Sequence, residues 1–410
     1  MARRTGTQYG VSPWLNEFPK TRRPEFPPYR GEAAYPVVII GGGLAGVLTA
    51  YAFSAAGVRV ALLEAGRLGH QGASRSPGVL QAEAAQSYKA VEQRHGRKVA
   101  RALFDASRRA VLDLAAAARR LGLNDIETFD ARRVLGSYGA DEKGLTKDTT
   151  LRREAGLDAV WLKPAAAARE TGIEIGRAAV RYHDWGHAHP YRLLTTFAAA
   201  AAARGAAIFE RSAVRRIKTG RKNVTVITSA GTITADTVIV CTGEPTDLYR
   251  SLKRHVDGTE RYVVVTERVP GRVRAQIRSS ARLILDTEAP PHLVHWLKDG
   301  RVVIAGADQP RLDRGKEKIV VQRTGQLMYE FSRLYPAISG LMPAYGWDVP
   351  MAVTADDVMY AGPHRNFPRH LFAWATRHDP AQAFLASRIL LRHYTGQPTR
   401  DDLYFAFTRG

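Results

Sequence analysis

A chain of 410 residues with 45% apolar and 24% charged residues has the composition of a globular protein, and it exceeds the length that one hydrophobic core usually spans. Its one cysteine, Cys241, excludes an intramolecular disulfide and a multi-cysteine metal site and favours a cytoplasmic location. No run approaches the roughly 20 apolar residues of a membrane helix. The formal charge of +21 is spread over the chain, so we expect no nucleic-acid partner and no membrane association.

The first 35 residues are rich in proline, arginine and aromatic residues, as in Phe26-Pro27-Pro28-Tyr29. This composition is typical of an extended arm, which we expect to lie over the surface without forming a core.

The residue composition changes at Val37, where the first predicted secondary-structure elements begin. The apolar run Val37–Ile40 predicts a buried parallel strand, and an alanine-rich helix is expected from about Leu44 to Ala56. A second buried strand is expected at Val58–Leu63, so the segment predicts a βαβ unit. Further on, helices are predicted at 98–121, 194–204 and 383–394, and strands at 224–227, 232–234, 238–241, 301–304 and 371–374.

Gly41, Gly43 and Gly46 form a G-x-G-x-x-G pattern between the first strand and the helix, which is the context that this dinucleotide-binding motif requires. The first glycine allows the tight turn, the second admits a pyrophosphate and the third allows close helix packing. The amides of Leu44 and Ala45 then face the phosphates at the positive end of the helix dipole. A glycine-rich turn without a ligand is the alternative.

Glu64 ends the second strand, 18 residues after Gly46, close to the roughly 20-residue spacing expected of a ribose-binding acid. A carboxylate there accepts hydrogen bonds from ribose hydroxyls and repels a 2′-phosphate, so NADP is disfavoured. The motif itself does not separate FAD from NAD.

Several segments, in this order, resemble those of the FAD-dependent oxidoreductases of the D-amino-acid oxidase type, which include glycine, sarcosine and γ-glutamylputrescine oxidases. The matching segments are Val37–Leu80, Asp184 with His189–Leu193, Val214, Cys241–Gly243, Asp299–Arg301 with Gly306 and Asp308, and Thr354–Pro363. Besides the glycine motif and Glu64, the resemblance implies FAD contacts at Ala65, Arg67, Gly72, Ala73, Ser74, Val214, Thr242, Gly243 and Gly362.

The resemblance also implies an α/β fold with a Rossmann-like FAD-binding domain and a second, mainly antiparallel-sheet substrate domain. The implied boundaries are 1–35 for the arm, 36–125, 180–255 and 350–410 for the FAD-binding domain, and 126–179 with 256–349 for the substrate domain.

The loop before the last helix departs from the family. Relatives carry glycines there, and their amides stabilise negative charge on the reduced flavin, whereas residues 375–381 read Ala-Thr-Arg-His-Asp-Pro-Ala. Either Arg377 or His378 supplies a positive charge in place of the amides, or the loop no longer supports flavin chemistry. The first reading is the one we favour.

Covalent flavin attachment is not expected. Cys241 lies on a strand near the adenine half, where a small buried residue is the better interpretation. The histidine that anchors flavin in some relatives is absent after Gly72-Ala73-Ser74, because Arg75, Ser76 and Pro77 follow. FAD is therefore expected to bind non-covalently.

Histidines supply two further hypotheses. His183, His187 and His189 surround Asp184, but their spacing fits no metal site, and we expect exposed loop histidines and no metal. His292 and His295 lie on a predicted strand, where a separation of three residues places them on opposite faces, so at most one is expected to face the substrate.

The function predicted is oxidation of a C–N bond in a small amine or amino acid by hydride transfer to FAD, which supplies the difficult chemistry. Two rival functions stay open: a non-catalytic or repurposed flavin-binding partner protein, and an NAD-dependent dehydrogenase. The residues expected at the substrate face are Tyr262, His292, His295, Trp347 and His378. The candidate catalytic residues are His378, Arg377, Tyr262 and His292. Substrate identity, electron acceptor and oligomeric state are left open.

Overall fold

The computed structural model describes residues 6–85, 87–135, 142–173, 177–288, 290–312 and 315–409, so the first five residues of the predicted arm lie outside it. Among the described residues, no helix is both long enough and apolar enough to cross a membrane. The helices are α1 (Pro13–Asn16), α2 (Leu44–Ala55), α3 (Tyr88–His95), α4 (Arg97–Arg120), α5 (Glu142–Glu154), α6 (Pro164–Thr171), α7 (Pro190–Ala203), α8 (Gly271–Ile277), α9 (Lys316–Leu334) and α10 (Pro380–Tyr394).

The strands are β1 (Gln8–Tyr9), β2 (Gly31–Ile40), β3 (Val60–Leu63), β4 (Val79–Leu80), β5 (Glu127–Val134), β6 (Val160–Leu162), β7 (Ala179–His187), β8 (Ala207–Phe209), β9 (Val214–Thr219), β10 (Val224–Thr228), β11 (Gly231–Gly243), β12 (Asp257–Thr266), β13 (Leu283–Asp286), β14 (Leu293–Trp296), β15 (Val302–Pro310), β16 (Pro343–Val353), β17 (Tyr360–His364) and β18 (Phe367–Trp374). They form two sheets.

The first sheet contains the predicted βαβ unit. Its strands run in the order β17-β18-β11-β2-β3-β8, and the neighbours from β18 to β8 are parallel. Strands β9 and β10 extend it as an antiparallel ribbon on β11. Helix α2 packs between this sheet and α10, with Val47 and Leu48 buried. The Rossmann-like fold class is thereby confirmed.

The second sheet has the order β1-β16-β12-β15-β14-β13-β5-β7-β4, with β6 on β7. Most neighbours are antiparallel, as expected of the second sheet, and the pairs β13–β5 and β1–β16 are parallel. Strands β4 and β7 belong to this sheet although the predicted boundaries assign most of their residues to the FAD-binding domain. The division into domains stays a prediction.

Side chains of the second sheet alternate between two faces because successive strand residues point in opposite directions. The inner face, with Val263, Val265 and Trp347, shares one apolar cluster with Val37 and Ile39 of β2. The outer face, with residues such as Val264 and Ile304, forms a separate cluster with α9. The inner face therefore shares a core with the first sheet, whereas the outer face packs against α9.

The N-terminal segment differs from its prediction. It forms β1 and α1, and Trp14 and Phe18 are buried in the same cluster as β2. The expectation that these residues lie over the surface without joining a core is wrong, since both aromatic rings pack against α7 or the loops beside it.

Candidate cofactor-binding site

The glycine motif forms the turn between β2 and α2. Gly41 has a φ of +108°, and a Cβ atom placed on it would lie 2.6 Å from the carbonyl oxygen of Cys241. A Cβ on Gly46 would lie 1.8 Å from the carbonyl oxygen of Gly41. The structure thus shows the tight turn expected at Gly41 and the close packing expected at Gly46. A Cβ on Gly43 would meet no atom within 4 Å, which leaves open space in front of the start of α2.

Glu64 lies at the carboxyl end of β3, beside this turn. One carboxylate oxygen accepts a 2.6 Å hydrogen bond from the amide of Gly42, and the other accepts a 2.7 Å bond from the amide of Gly66. Each oxygen keeps a further lone pair for a hydroxyl group, because an ionised carboxylate accepts about four hydrogen bonds. The two amides fix the carboxylate at the edge of the glycine turn.

A cavity of about 570 Å³ opens over the glycine turn. Most of the cofactor residues expected from the sequence line it: Gly41, Gly43, Leu44, Ala45, Glu64, Ala65, Arg67, Gly72, Val214, Thr242 and Gly243. Four do not: Gly46, Ala73, Ser74 and Gly362. Gly46 packs behind the turn, and Gly362 lies on β17 against His393 of α10.

Residues 36–385 match the model of a family described as FAD-dependent oxidoreductase. The chain belongs to the FAD-dependent oxidoreductase family. The NAD-dependent dehydrogenase considered from the motif alone is therefore excluded by the family match.

Individual relatives are distant. The probable oxidoreductase OrdL of Rhizobium meliloti is 25% identical over 360 residues, which cover 85% of this chain and 80% of that protein. Glycine oxidase from Geobacillus kaustophilus superposes with a TM-score of 0.77 at 20% identity, covering 92% of this chain and 99% of its own. An L-amino acid deaminase from Proteus vulgaris superposes with a TM-score of 0.76 at 15% identity, covering 97% and 99%. These similarities establish the fold of the oxidoreductase.

The glycine-free loop before α10 adopts backbone angles that usually require glycine. Ala375, Arg377 and His378 have φ values of +60°, +53° and +55°. Left-handed conformations cost L-residues about 1–2 kcal/mol each. The loop thus keeps a glycine-like path although its side chains are present, and Asp379 caps the first turn of α10 by accepting hydrogen bonds from Ala381 and Gln382.

The two charged candidates of this loop have different surroundings. Arg377 forms an ion pair with Asp357 and does not line the cavity. His378 does line it, and its Nε2 lies 2.7 Å from the carbonyl oxygen of Pro350. Burial lowers the pKa of His378, so the ring is uncharged near neutral pH. The structure therefore does not support a positive charge from either residue beside the flavin.

Two of the predicted substrate-face residues lie on the outer face of the second sheet. Tyr262 belongs to the cluster around α9 and accepts a 2.9 Å hydrogen bond from Gln309. The Nδ1 atom of His292 lies 2.7 Å from a carboxylate oxygen of Asp286, beside Phe331 of α9. Strand alternation turns both side chains away from the inner face that shares a core with β2, which argues against their assignment to the substrate face.

The other two predicted residues of this sheet lie on its inner face. Trp347 is buried and donates its indole N–H to the carbonyl oxygen of Arg75 over 2.9 Å. The ring of His295 stacks on Phe129 at 5.3 Å and lies 4.5 Å from the ring of His187. The prediction that His292 and His295 occupy opposite faces is confirmed.

The paired imidazoles on the inner face are uncharged. Burial lowers the pKa of His295 to about 3 and lowers that of His187 well below its usual value. His295 donates from Nδ1 to the carbonyl oxygen of Arg282 over 2.9 Å, which leaves Nε2 as the acceptor nitrogen. That nitrogen has no hydrogen-bond partner among the described residues.

Sequence reasoning missed part of the cavity wall. Those residues are Gly69, Gln71, Ala213, Arg215, Thr376 and the stretch Thr246–Tyr249. The stretch follows the returning strand β11 within a few residues, so extending the match at Thr242 and Gly243 along the chain would have found it. No local pattern marks Thr376, which reaches the cavity only through the path of the loop.

Cys241 and the histidine cluster carry no sign of a metal or covalent site. Burial raises the pKa of the Cys241 thiol to about 12, and the sulfur lies 3.8 Å from Oγ1 of Thr49. Over the described ranges, no group of three or more His, Cys, Asp or Glu side chains is placed to hold a metal ion. The expectation of exposed loop histidines is wrong, because His183 and His187 lie on β7 and His187 is buried. His183 contacts Asp130, with Nδ1 and a carboxylate oxygen 2.7 Å apart.

Proposed function

We propose that this FAD-dependent oxidoreductase oxidises a C–N bond of a small amine or amino acid, with FAD held non-covalently. The observation that carries the proposal is the open glycine turn with Glu64 beside it, in a chain whose residues 36–385 match the family. The amine class is supported by the names of structural neighbours, a glycine oxidase and an L-amino acid deaminase.

The residues that line the cavity suit the parts of FAD. The amides of Leu44 and Ala45 at the start of α2 would bind the pyrophosphate, and the open space at Gly43 would admit it. Glu64 would accept hydrogen bonds from ribose hydroxyls, and the backbone at Val214 would lie beside the adenine. When bound, FAD supplies the acceptor for a hydride, which carries two electrons and one proton.

The inner face would exclude water and favour an uncharged amine. Its aromatic side chains and neutral imidazoles, including Trp347, His187 and His295, present no fixed positive charge. An amine desolvated against such a surface has a lowered pKa and therefore loses its proton more readily. The nitrogen lone pair is then free as the α-carbon loses hydride, so the step needs no dedicated protein base.

The proposal is tested by anaerobic reduction of the purified holoprotein. Each of a panel of primary amines, secondary amines and amino acids is mixed with the protein while the visible flavin absorption is followed. Glycerol phosphate and 2-hydroxy acids form the comparison set, because their oxidation breaks a C–H bond next to oxygen. Acid precipitation of the same sample tests whether the flavin is released into the supernatant.

We expect bleaching by members of the amine set only, with one carbonyl product and one amine or ammonia per flavin reduced, after hydrolysis of the imine. Bleaching by the hydroxy compounds alone would refute the substrate class. In a third outcome, dithionite reduces the bound flavin but no compound of either set does. That result would support a non-catalytic flavin-binding partner protein.

A further inference from the structure

The N-terminal clasp, defined as residues 7–17, lies before the family-matching region and contacts the second sheet and helix α7. On the second sheet it adds β1 in parallel to β16, pairing Gln8 with Tyr345 and Tyr9 with Gly346. The amide of Gly10 continues the pairing with a 2.9 Å hydrogen bond to the carbonyl oxygen of Gly346. An ion pair of 2.8 Å between Glu17 and Arg301 fixes its other end.

The clasp also binds the turn at residues 72–76. The hydroxyl of Ser12 donates to the carbonyl oxygen of Ser74, and the indole N–H of Trp14 donates to that of Ser76 over 2.9 Å. The carbonyl oxygen between them, on Arg75, accepts from Trp347. Three consecutive carbonyl groups of this turn are therefore held by side chains, and two of those side chains belong to the clasp.

The turn meets the wall of the cofactor cavity through its first residue, Gly72. A Cβ on Gly72 would lie 3.5 Å from Nδ1 of His378 and 3.9 Å from the Cα of Gly43. The hydroxyl of Ser76 donates a 2.8 Å hydrogen bond to the carbonyl oxygen of His378. A displacement of the turn would move the cavity wall and the loop before α10 together.

We propose that the clasp positions the cavity wall for FAD, with Ser12 and Trp14 as positioning residues that act through the turn at 72–76. Both clasp residues are 4% exposed, so their hydrogen bonds are sheltered from water. Since coupling between two binding events is reciprocal, FAD bound in the cavity stabilises the docked clasp as much as the docked clasp stabilises FAD. The proposal rests on FAD binding and is independent of the substrate.

The first experiment measures the dissociation constant of FAD by quenching of flavin fluorescence. Trp14→Phe keeps an aromatic ring but removes the indole donor, and we expect FAD to bind roughly 5-fold more weakly, since a buried hydrogen bond contributes about 1 kcal/mol. Ser12→Ala should have a similar effect, and removal of residues 2–17 a larger one. Trp161→Phe is the matched control, because Trp161 lies on β6 at the far side of the second sheet.

The second experiment uses the unaltered protein and trypsin. Lys20 is exposed directly after the clasp, so undocking makes that site cleavable, and FAD should slow cleavage there. Cleavage at Lys222, in the exposed turn between β9 and β10, is the internal control.

Three results would overturn the proposal. One is unchanged FAD affinity in Trp14→Phe and Ser12→Ala, even with a lower melting temperature, because the clasp would then only stabilise the fold. Another is cleavage at Lys20 that FAD does not slow. Failure of the unaltered protein to bind FAD would refute the cofactor assignment as well, and the three results are distinguishable.

Discussion

The ring of His378 connects the loop before α10 to strand β16 of the second sheet. Its Nε2 lies 2.7 Å from the carbonyl oxygen of Pro350. Because a carbonyl only accepts, Nε2 carries the proton and Nδ1 is left as an acceptor beside Gly72. The loop before α10 is thus tied to the second sheet by a neutral imidazole.

His378 should not titrate near its usual pKa of about 6.5, because burial lowers its pKa. In NMR spectra of ring-labelled protein, the signal that disappears in His378→Gln should titrate at a lower pH than a free imidazole does. The FAD midpoint potential should be alike in both proteins at pH 7. Titration near pH 6.5, with a lower potential in the variant, would restore the charged-histidine interpretation.

Ala375→Gly should stabilise the protein although the residue is buried. Its φ of +60° costs alanine about 1–2 kcal/mol, and the greater freedom of glycine in the unfolded chain offsets about half of that gain. We expect the free energy of unfolding in urea to rise by up to about 1 kcal/mol. Ala383→Gly, in the interior of α10, is the control and should lower it by about 1 kcal/mol. Equal losses of unfolding free energy in both variants would contradict backbone strain at Ala375.

Glu64→Gln should weaken FAD binding roughly 10- to 100-fold, because hydrogen bonds to a charged group contribute about 1.5–3 kcal/mol. The amide side chain also cannot accept from Gly42 and Gly66 with both of its terminal atoms. Fluorescence quenching gives the dissociation constant. Glu32→Gln, at an exposed position on β2, should bind FAD as the unaltered protein does. A similar small loss in both variants would remove Glu64 from the site.

His295→Phe should stabilise the protein more at pH 5 than at pH 8. Burial holds the pKa of His295 at about 3, so between pH 6.5 and 3 the unfolded state binds more protons and stability is lost as the pH falls. This difference in proton binding lowers the free energy of unfolding by about 2 kcal/mol at pH 5 and has no effect at pH 8. Phenylalanine at this position keeps the stacking on Phe129. Urea unfolding at the two pH values measures the difference, and a difference independent of pH would refute the neutral imidazole.

Cys241 should resist thiol reagents in the folded protein. It is 4% exposed and its pKa is raised to about 12, so little thiolate exists at neutral pH. We expect no labelling by iodoacetamide at pH 8 over hours and complete labelling in urea. Since it is the one cysteine of the chain, the reaction also reports unfolding. Rapid labelling of the folded protein would contradict its burial behind the glycine turn.

The sequence by itself determined the dinucleotide half of this protein. Glycine is required at positions 41 and 46 by close contacts of the turn with neighbouring backbone. The apolar run Val37–Ile40 predicted a buried strand, and the strand predicted at Val58–Leu63 is observed at Val60–Leu63. These are local constraints, which short-range patterns record. The order of the matching segments gave the family for the same reason.

The tertiary structure alone decided which face of the second sheet each residue occupies and what the arm does. Strand alternation places Tyr262 and His292 on one face of the second sheet. That face is the outer one because α9 packs against it. Ser12 and Trp14 meet their partners more than sixty residues further along the chain, and Arg377 turns to Asp357 because of the loop's path. Such contacts follow from long-range packing, which no short stretch of sequence encodes.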